Sequence, residues 1–84
     1  MGRPFLIIQM DFQEQARKEL IDLANARMPY GKYKGYLLVE IPEYYLVWYK
    51  GKGFPDSKIG RQLEQMLEIK TNGLEGLIYK LVIK

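Results

Sequence analysis

The sequence predicts an α+β fold, in which a small β-hairpin or three-stranded antiparallel sheet packs against three to four short helices. Two observations predict this class. Apolar residues recur at steps of three and four over residues 12–27 and 59–70, which indicates two amphipathic helices. Between them, residues 36–41 have the composition of a strand. The chain has 84 residues without a linker or repeat, so residues 1–84 are expected to form one compact domain.

The first 27 residues are predicted to form an edge strand followed by a helix. Residues 4–9 are mostly apolar and contain two isoleucines, a composition typical of a strand. Asp11 is a good N-cap, and Glu14 follows three residues later, as in a capping box. Pro29 disfavours helical geometry in the residue before it, so this helix should end near Arg27.

The middle of the chain is predicted to contain the hairpin and then a short helix. Lys34-Gly35 suits the turn of the hairpin, because glycine adopts positive φ at low cost. Pro42 suits the first turn of the helix that follows. Leu46 and Trp48 are expected to attach this helix to the core, since a small core gains most from large side chains. The glycines at positions 51 and 53 should end it.

The C-terminal third is predicted to form two further helices. Asp56 or Ser57 should cap the first of them, and Asn72-Gly73 is a strong signal for its end. Apolar residues in the segment 74–82 repeat at helical spacing, which predicts a final short helix. The β-branched residues near the end of this segment leave a strand as the alternative.

The composition excludes several classes of chemistry. The chain contains no cysteine, so disulfides, thiolate catalysis and cysteine-based metal sites are ruled out. It also contains no histidine, the usual general base and the commonest ligand of transition metals. We therefore expect a non-enzymatic protein with no catalytic residue, no cofactor and no metal. A sequence without cysteine suits a reducing cytoplasm. No apolar stretch approaches the roughly 20 residues that span a bilayer, so a cytoplasmic protein without a membrane partner is expected.

Several short motifs resemble one bacterial family. RMPYGKYKG at residues 27–35, Ile41-Pro42 and YLVW at residues 45–48 follow the pattern MPFGKYKG, IP and YLxW. This pattern is that of short bacterial proteins described as putative quorum-sensing-regulated virulence factors. Tyr30 stands where that family more often has phenylalanine. The resemblance covers about residues 20–78, and it implies a small domain of uncharacterised function rather than any particular chemistry.

A shorter form of the same pattern resembles small modules attached to some DNA exonucleases and helicases. It covers only Tyr30 to about Trp48. The resemblance implies a link to nucleic-acid metabolism. The exonuclease active site lies outside such modules, so no catalytic residue is implied here.

The lysines and tyrosines between Met28 and Pro55 are the candidate functional site. This segment carries a net charge of +2 within a chain of +3. Lysines bind phosphates and exposed tyrosine rings stack on bases, so weak nucleic-acid binding is one hypothesis. In the alternative reading, which the sequence favours, the tyrosines are half-buried packing residues and the lysines are solvated. The candidate contact residues for nucleic acid or a protein partner are Tyr30, Lys32, Tyr33, Lys34, Tyr36, Lys50 and Lys52.

Two functions therefore remain open. The first is a non-catalytic accessory module that binds nucleic acid weakly through the basic aromatic hairpin. The second is a protein-interaction or regulatory module, as a homodimer or with another protein, because the short chain ends in an apolar segment at residues 74–83. Whether the tyrosine rings point into the core or into solvent distinguishes packing from stacking.

Overall fold

The computed structural model describes residues 2–83, with side chains from residue 13 onward. Over this range, strand pairing is limited to one antiparallel bridge between Arg27 and Leu37. The predicted α+β fold with a hairpin or three-stranded sheet is therefore wrong, because the described chain is mostly helical. Its elements are α1 (Gly2–Asn25), a 3₁₀ helix (Leu38–Glu40), α2 (Glu43–Lys52), α3 (Lys58–Thr71) and α4 (Glu75–Tyr79).

The N-terminal edge strand is also wrong, since residues 4–9 lie inside α1. Pro4 falls in the first turn of this helix, where the missing N–H of proline breaks no intrahelical hydrogen bond. Asp11 is consequently an interior residue of the helix and not its N-cap. The helix ends at Asn25, two residues before the predicted end.

The segment predicted as the second strand of the hairpin forms a buried 3₁₀ helix instead. Leu37, Leu38 and Val39 are consecutive and all buried. A strand would send alternate side chains to opposite faces, whereas this segment is surrounded by α1, α3 and α4. The Glu40 carboxylate accepts a hydrogen bond from the Leu37 N–H at 2.9 Å and so closes the turn. The strand-like composition thus reflects complete burial and not sheet pairing.

Helix α2 begins immediately after Pro42, as predicted. Gly51 does not end it, because the helix continues to Lys52 and is capped by Gly53. Leu46 is fully buried, which confirms its expected place in the core. Trp48 is 55% exposed, so its expected role as a core anchor is wrong.

The C-terminal helices follow the predicted order. Ser57 is the N-cap of α3, and its Oγ accepts a hydrogen bond from the Gly60 N–H at 3.4 Å. Asn72 is the C-cap of α3, and Gly73 follows with a φ of 69°, which confirms the predicted end. The final helix is confirmed at Glu75–Tyr79, although it is shorter than the predicted segment.

The core lies where the end of α1, the 3₁₀ helix, α2, α3 and α4 meet. Hydrogen bonds from polar side chains connect the elements at the edge of the core. Lys70 Nζ of α3 donates to the Val39 carbonyl oxygen at 2.6 Å. Asn25 Nδ2 donates to the Leu81 carbonyl oxygen at 3.0 Å, and its Oδ1 accepts from the Ile83 N–H at 2.7 Å. The buried residues are Leu23, Ala24, Met28, Tyr33, Leu37, Leu38, Val39, Ile41, Leu46, Leu63, Met66, Leu67 and Ile78.

Candidate functional site

A closed loop between α1 and the 3₁₀ helix carries the first half of the candidate site. The Met28 N–H donates to the Tyr36 carbonyl oxygen, and the Gly35 N–H donates to the Met28 carbonyl oxygen, both at 2.8 Å. Gly31 and Gly35 have φ values of 80° and 88°, which other residues adopt only with strain. The predicted turn at Gly35 is therefore confirmed, although it closes a loop rather than a hairpin. The Arg27 guanidinium braces the loop by donating to the Gly35 carbonyl oxygen at 2.7 Å.

Tyr33 of this loop and Tyr49 of α2 lie where the loop packs against the helix. Tyr33 is buried, with its ring edge-on to Tyr45 at 4.7 Å between centroids and its hydroxyl 3.4 Å from that of Tyr44. The Tyr44 hydrogen bond, followed by burial, raises the pKa of Tyr33 to about 12. The pKa of Tyr49 is likewise raised to about 12, first by its hydrogen bond with Tyr30 and then by burial. The ring and hydroxyl contacts of Tyr33 hold the loop against the helix.

Three further aromatic rings of this region face solvent. Tyr44 is 68% exposed, and Trp48 follows it by four residues on the same side of α2. One helical turn separates them, which is about 6 Å along the axis. Tyr36 of the loop is 48% exposed, and its ring lies 5.4 Å from the Tyr33 ring. Stacking on a planar ligand is thus open to the rings of Tyr36, Tyr44 and Trp48.

Two lysines lie at the ends of this group of rings. Lys52 Nζ is 5.6 Å from the centroid of the Trp48 ring, and Lys32 Nζ is 5.5 Å from that of Tyr33. Both distances are within the range of a cation–π interaction. Lys52 also extends the α2 stripe by one further turn. We call these side chains the aromatic–basic surface, which consists of Lys32, Tyr36, Tyr44, Trp48 and Lys52.

The structure separates the other predicted site residues from this surface. Tyr33 lies beneath it, and Tyr30 is partly exposed but bonded to Tyr49. Lys34 is exposed in the turn of the loop. Lys50 is about 200° around α2 from Trp48 and lines a groove with Glu64 and Glu68 of α3.

Sequence reasoning did not include Tyr44 and Trp48 in the site. A signal for them exists, because Tyr44, Trp48 and Lys52 are spaced at four-residue intervals on one helix. Their exposure could not be predicted without knowing which side of α2 is buried. That side is set by Leu46, which is fully buried, with Tyr45 and Tyr49 half-buried beside it.

The acidic residues of the same segment form hydrogen bonds away from the aromatic–basic surface. The Glu40 carboxylate accepts the Leu37 N–H, and the Glu43 carboxylate lies 3.4 Å from the Thr71 hydroxyl of α3. Neither carboxylate contacts Lys32 or Lys52 in these hydrogen bonds. The positive charge of the aromatic–basic surface is therefore available to an anionic ligand.

Besides the aromatic–basic surface, the features to consider among the described residues are acidic side chains, a charged groove and the apolar character of the helices. Residues 13–83 bring together no group of three acidic side chains that could hold a metal ion. A groove between α1 and α3 contains Glu19 and Asp22, but Lys58 and Arg61 lie in the same groove. Among the described helices, none combines the length and apolar character needed to cross a membrane.

Comparison with known proteins identifies the family. A family model described as "Putative quorum-sensing-regulated virulence factor" matches residues 16–81. This chain belongs to that family. The resemblance predicted from the GKYKG and YLVW motifs is confirmed, and the matched range contains the whole aromatic–basic surface.

The chain is also similar to two curated proteins of Escherichia coli. "Uncharacterized protein YpeB" of strain K12 is 46% identical over 66 residues, which are 77% of this chain and 92% of the relative. The protein of the same name from strain O157:H7 matches to the same extent. No solved structure matches this chain.

Membership of the virulence-factor family establishes a small domain of uncharacterised function. The shorter resemblance to exonuclease and helicase modules is not shown by these matches and stays a prediction. The cytoplasmic location and the absence of enzymatic activity also stay predictions.

Proposed function

We propose that this domain is a non-catalytic accessory module that binds nucleic acid weakly through its aromatic–basic surface. The observation that carries the proposal is the stripe of Tyr44, Trp48 and Lys52, where two exposed rings are followed by a lysine on one side of α2. Aromatic rings beside cations are the combination that binds bases and phosphates together.

The position of the lysines favours an anionic ligand over a cationic one. A cationic ligand such as a quaternary ammonium group would be repelled by lysine ammonium groups that lie close to the rings. Here Lys52 lies over Trp48 and Lys32 lies over Tyr33. A ligand that combines negative charge with planar rings satisfies both parts of the surface, and nucleic acids have this combination.

The binding is expected to be weak and sensitive to salt. Each lysine–phosphate contact releases counterions, and each contributes about 0.7–0.9 to the slope of log affinity against log salt concentration. Two lysines on the surface, with Lys34 exposed nearby, provide few such contacts. A module of this kind contributes affinity beside another domain or protein.

Fluorescence anisotropy with labelled single-stranded and double-stranded DNA and RNA at low salt tests the proposal. We expect micromolar binding that weakens as salt is added, and a clear loss of affinity in Trp48→Ala. Tyr79→Ala is the matched control, because Tyr79 is an equally exposed aromatic residue on α4. Absence of binding to every probe at tens of micromolar protein would refute the proposal.

A second candidate function is self-association through a separate apolar region. Leu20, Leu74 and Leu77 are each more than 40% exposed, and the first two line one groove with Leu23 and Ile69. Light scattering at two protein concentrations tests this function, with Leu74→Lys expected to shift a dimer toward the monomer. A constant monomer mass at both concentrations would exclude the homodimer.

A further inference from the structure

We infer that the aromatic–basic surface binds single-stranded nucleic acid in preference to a duplex, with one base stacked on Trp48 and a neighbouring base on Tyr44. The inference rests on the proposed function and specifies its ligand. Stacking requires a base whose face is accessible, and in a duplex the faces are covered by adjacent base pairs.

The order of groups along α2 matches an extended strand. Tyr44, Trp48 and Lys52 follow a line that winds around α2, with a step of about 6 Å along the axis and about 40° around it between successive positions. A strand laid along this line meets a ring, a second ring and then a cation. The Lys52 ammonium lies 5.6 Å from the Trp48 ring centroid, so it is placed to reach a phosphate next to a base stacked on that ring.

The loop extends the same path beyond the helix. Tyr33 contacts Tyr44 through its hydroxyl and Tyr36 through its ring, so Tyr36 and Tyr44 are both neighbours of one buried residue. Lys32 lies over the ring of Tyr33. The surface therefore has a cation at each end and exposed rings between them.

The exposed side of α2 is unsuited to reading a duplex. A helix that enters the major groove presents arginine, asparagine or glutamine to the edges of the bases. The exposed residues of α2 near the stripe are instead Tyr44, Val47 and Trp48. These side chains offer apolar area and ring faces, which match unpaired bases.

Intrinsic fluorescence gives a direct test, since Trp48 is the single tryptophan of the chain. The full chain is titrated at low salt with an oligothymidine of about 12 nucleotides, and separately with a blunt duplex of the same length. We expect the oligothymidine to quench the tryptophan with the same Kd that anisotropy gives. The duplex should bind at least about fivefold more weakly, since stacking on one base accounts for about 1–3 kcal/mol.

Variants separate stacking from simple charge attraction. Tyr44→Ala should weaken binding of the oligothymidine by about 5- to 140-fold, which corresponds to the loss of one stacked base. Tyr79→Ala should leave the Kd unchanged, because that ring lies on α4. Circular dichroism of each variant checks that it is folded.

The outcomes distinguish this inference from the proposed function. Equal or tighter binding of the duplex, with unchanged tryptophan fluorescence, would overturn the single-strand inference and leave nucleic-acid binding intact. No change in anisotropy with either probe would overturn the proposed function itself. Quenching by a proline-rich peptide, together with no change in anisotropy with either nucleic-acid probe, would overturn both and assign the rings to a protein partner.

Discussion

Gly60 allows the backbone of Pro55 to lie directly against the first turn of α3. A Cβ atom at position 60 would be 1.7 Å from the Pro55 carbonyl oxygen and 2.7 Å from its carbonyl carbon. The neighbouring atoms belong to the backbone, so they cannot move aside as a flexible side chain could. The close approach brings the end of the α2–α3 connection onto the helix and fixes where α3 starts relative to α2.

Gly60→Ala is therefore expected to lower the free energy of unfolding by about 1–3 kcal/mol, as overpacking of a core does. Helix propensity alone would give the opposite sign, a gain of about 1 kcal/mol. Urea unfolding followed by circular dichroism measures the difference. Gly51→Ala is the matched control, because Gly51 is helical with open space around it and should gain about 0.5–1 kcal/mol. Similar gains in both variants would rule out the close contact.

The phenol of Tyr33 links the stability of the loop to alkaline pH. Its pKa is raised from 10.0 to about 12, chiefly by the hydrogen bond with Tyr44. The unfolded chain loses this proton at a lower pH than the folded chain. The corresponding stability is complete below about pH 10 and is lost as the pH rises toward 12.

Tyr33→Phe cannot ionise, so its Tm should fall less steeply than that of the wild type between about pH 9.5 and 11.5. Thermal unfolding at a series of pH values measures the two slopes. Tyr79→Phe serves as the control, since Tyr79 is exposed on α4, outside the loop. Equal slopes for the wild type and Tyr33→Phe would contradict the raised pKa.

Helix α2 has two differently charged sides. Lys52 lies over Trp48 on the exposed aromatic side, whereas Lys50 faces Glu64 and Glu68 across a groove. Lys50 and Lys52 are only two residues apart in sequence but lie on different sides of α2. Substituting each of them in turn therefore tests one side of the helix at a time. The neighbouring carboxylates of Glu64 and Glu68 weaken the attraction between Lys50 and an anionic ligand.

Lys52→Gln should reduce the salt dependence of oligothymidine binding, lowering the magnitude of the log–log slope by about 0.7. Lys50→Gln should change the slope much less. Anisotropy titrations at four or more salt concentrations give both slopes. Equal effects of the two substitutions would show that general charge, and not the aromatic–basic surface, attracts the nucleic acid.

The helices and the strands were predictable to different degrees. Local signals act within a few residues of the boundary that they set, so Pro42, Ser57 and Asn72-Gly73 place the start of α2 and both ends of α3. The strand predicted over residues 36–41 is wrong because β-branched and aliphatic residues suit any buried position. Only the packing of three helices around the 3₁₀ helix distinguishes it from a strand, and this information is spread over the whole chain.

At the scale of the whole molecule, Asn25 joins the end of α1 to the C-terminal segment. Its side chain bonds the Leu81 carbonyl oxygen and the Ile83 N–H, across 56 and 58 positions of sequence. Asn25 Nδ2 also donates to the Ile21 carbonyl oxygen, which fixes its orientation. One amide thus holds residues 81–83 beside the first helix.

Asn25→Ala should reduce the free energy of unfolding by about 0.5–1.5 kcal/mol, because it removes the part-buried hydrogen bond to the Leu81 carbonyl oxygen. Hydrogen exchange measured by mass spectrometry should show faster exchange in residues 80–83. In Asn72→Ala, only a local bond to the Glu68 carbonyl oxygen is lost, so exchange at the C-terminus should be unchanged. Unchanged exchange in Asn25→Ala would mean that apolar packing alone holds the segment.

The candidate site was predictable in its chemistry but only in part in its membership. The basic and aromatic composition of residues 28–55 indicates the segment that contains the proposed surface. The division of its tyrosines into buried Tyr33 and exposed Tyr36 and Tyr44 depends on how the loop folds onto α2. Tertiary contacts of this kind leave no periodic signal in a closed loop.

The lysines over Tyr33 and Trp48 have a consequence for solubility. Exposed aromatic rings on a small protein tend to adhere to the same rings of another copy. A hydrated ammonium group at each end of the surface gives two such copies like charges at close range. The lysines thus hinder aggregation through these rings, and acetylation of their amines would remove this protection.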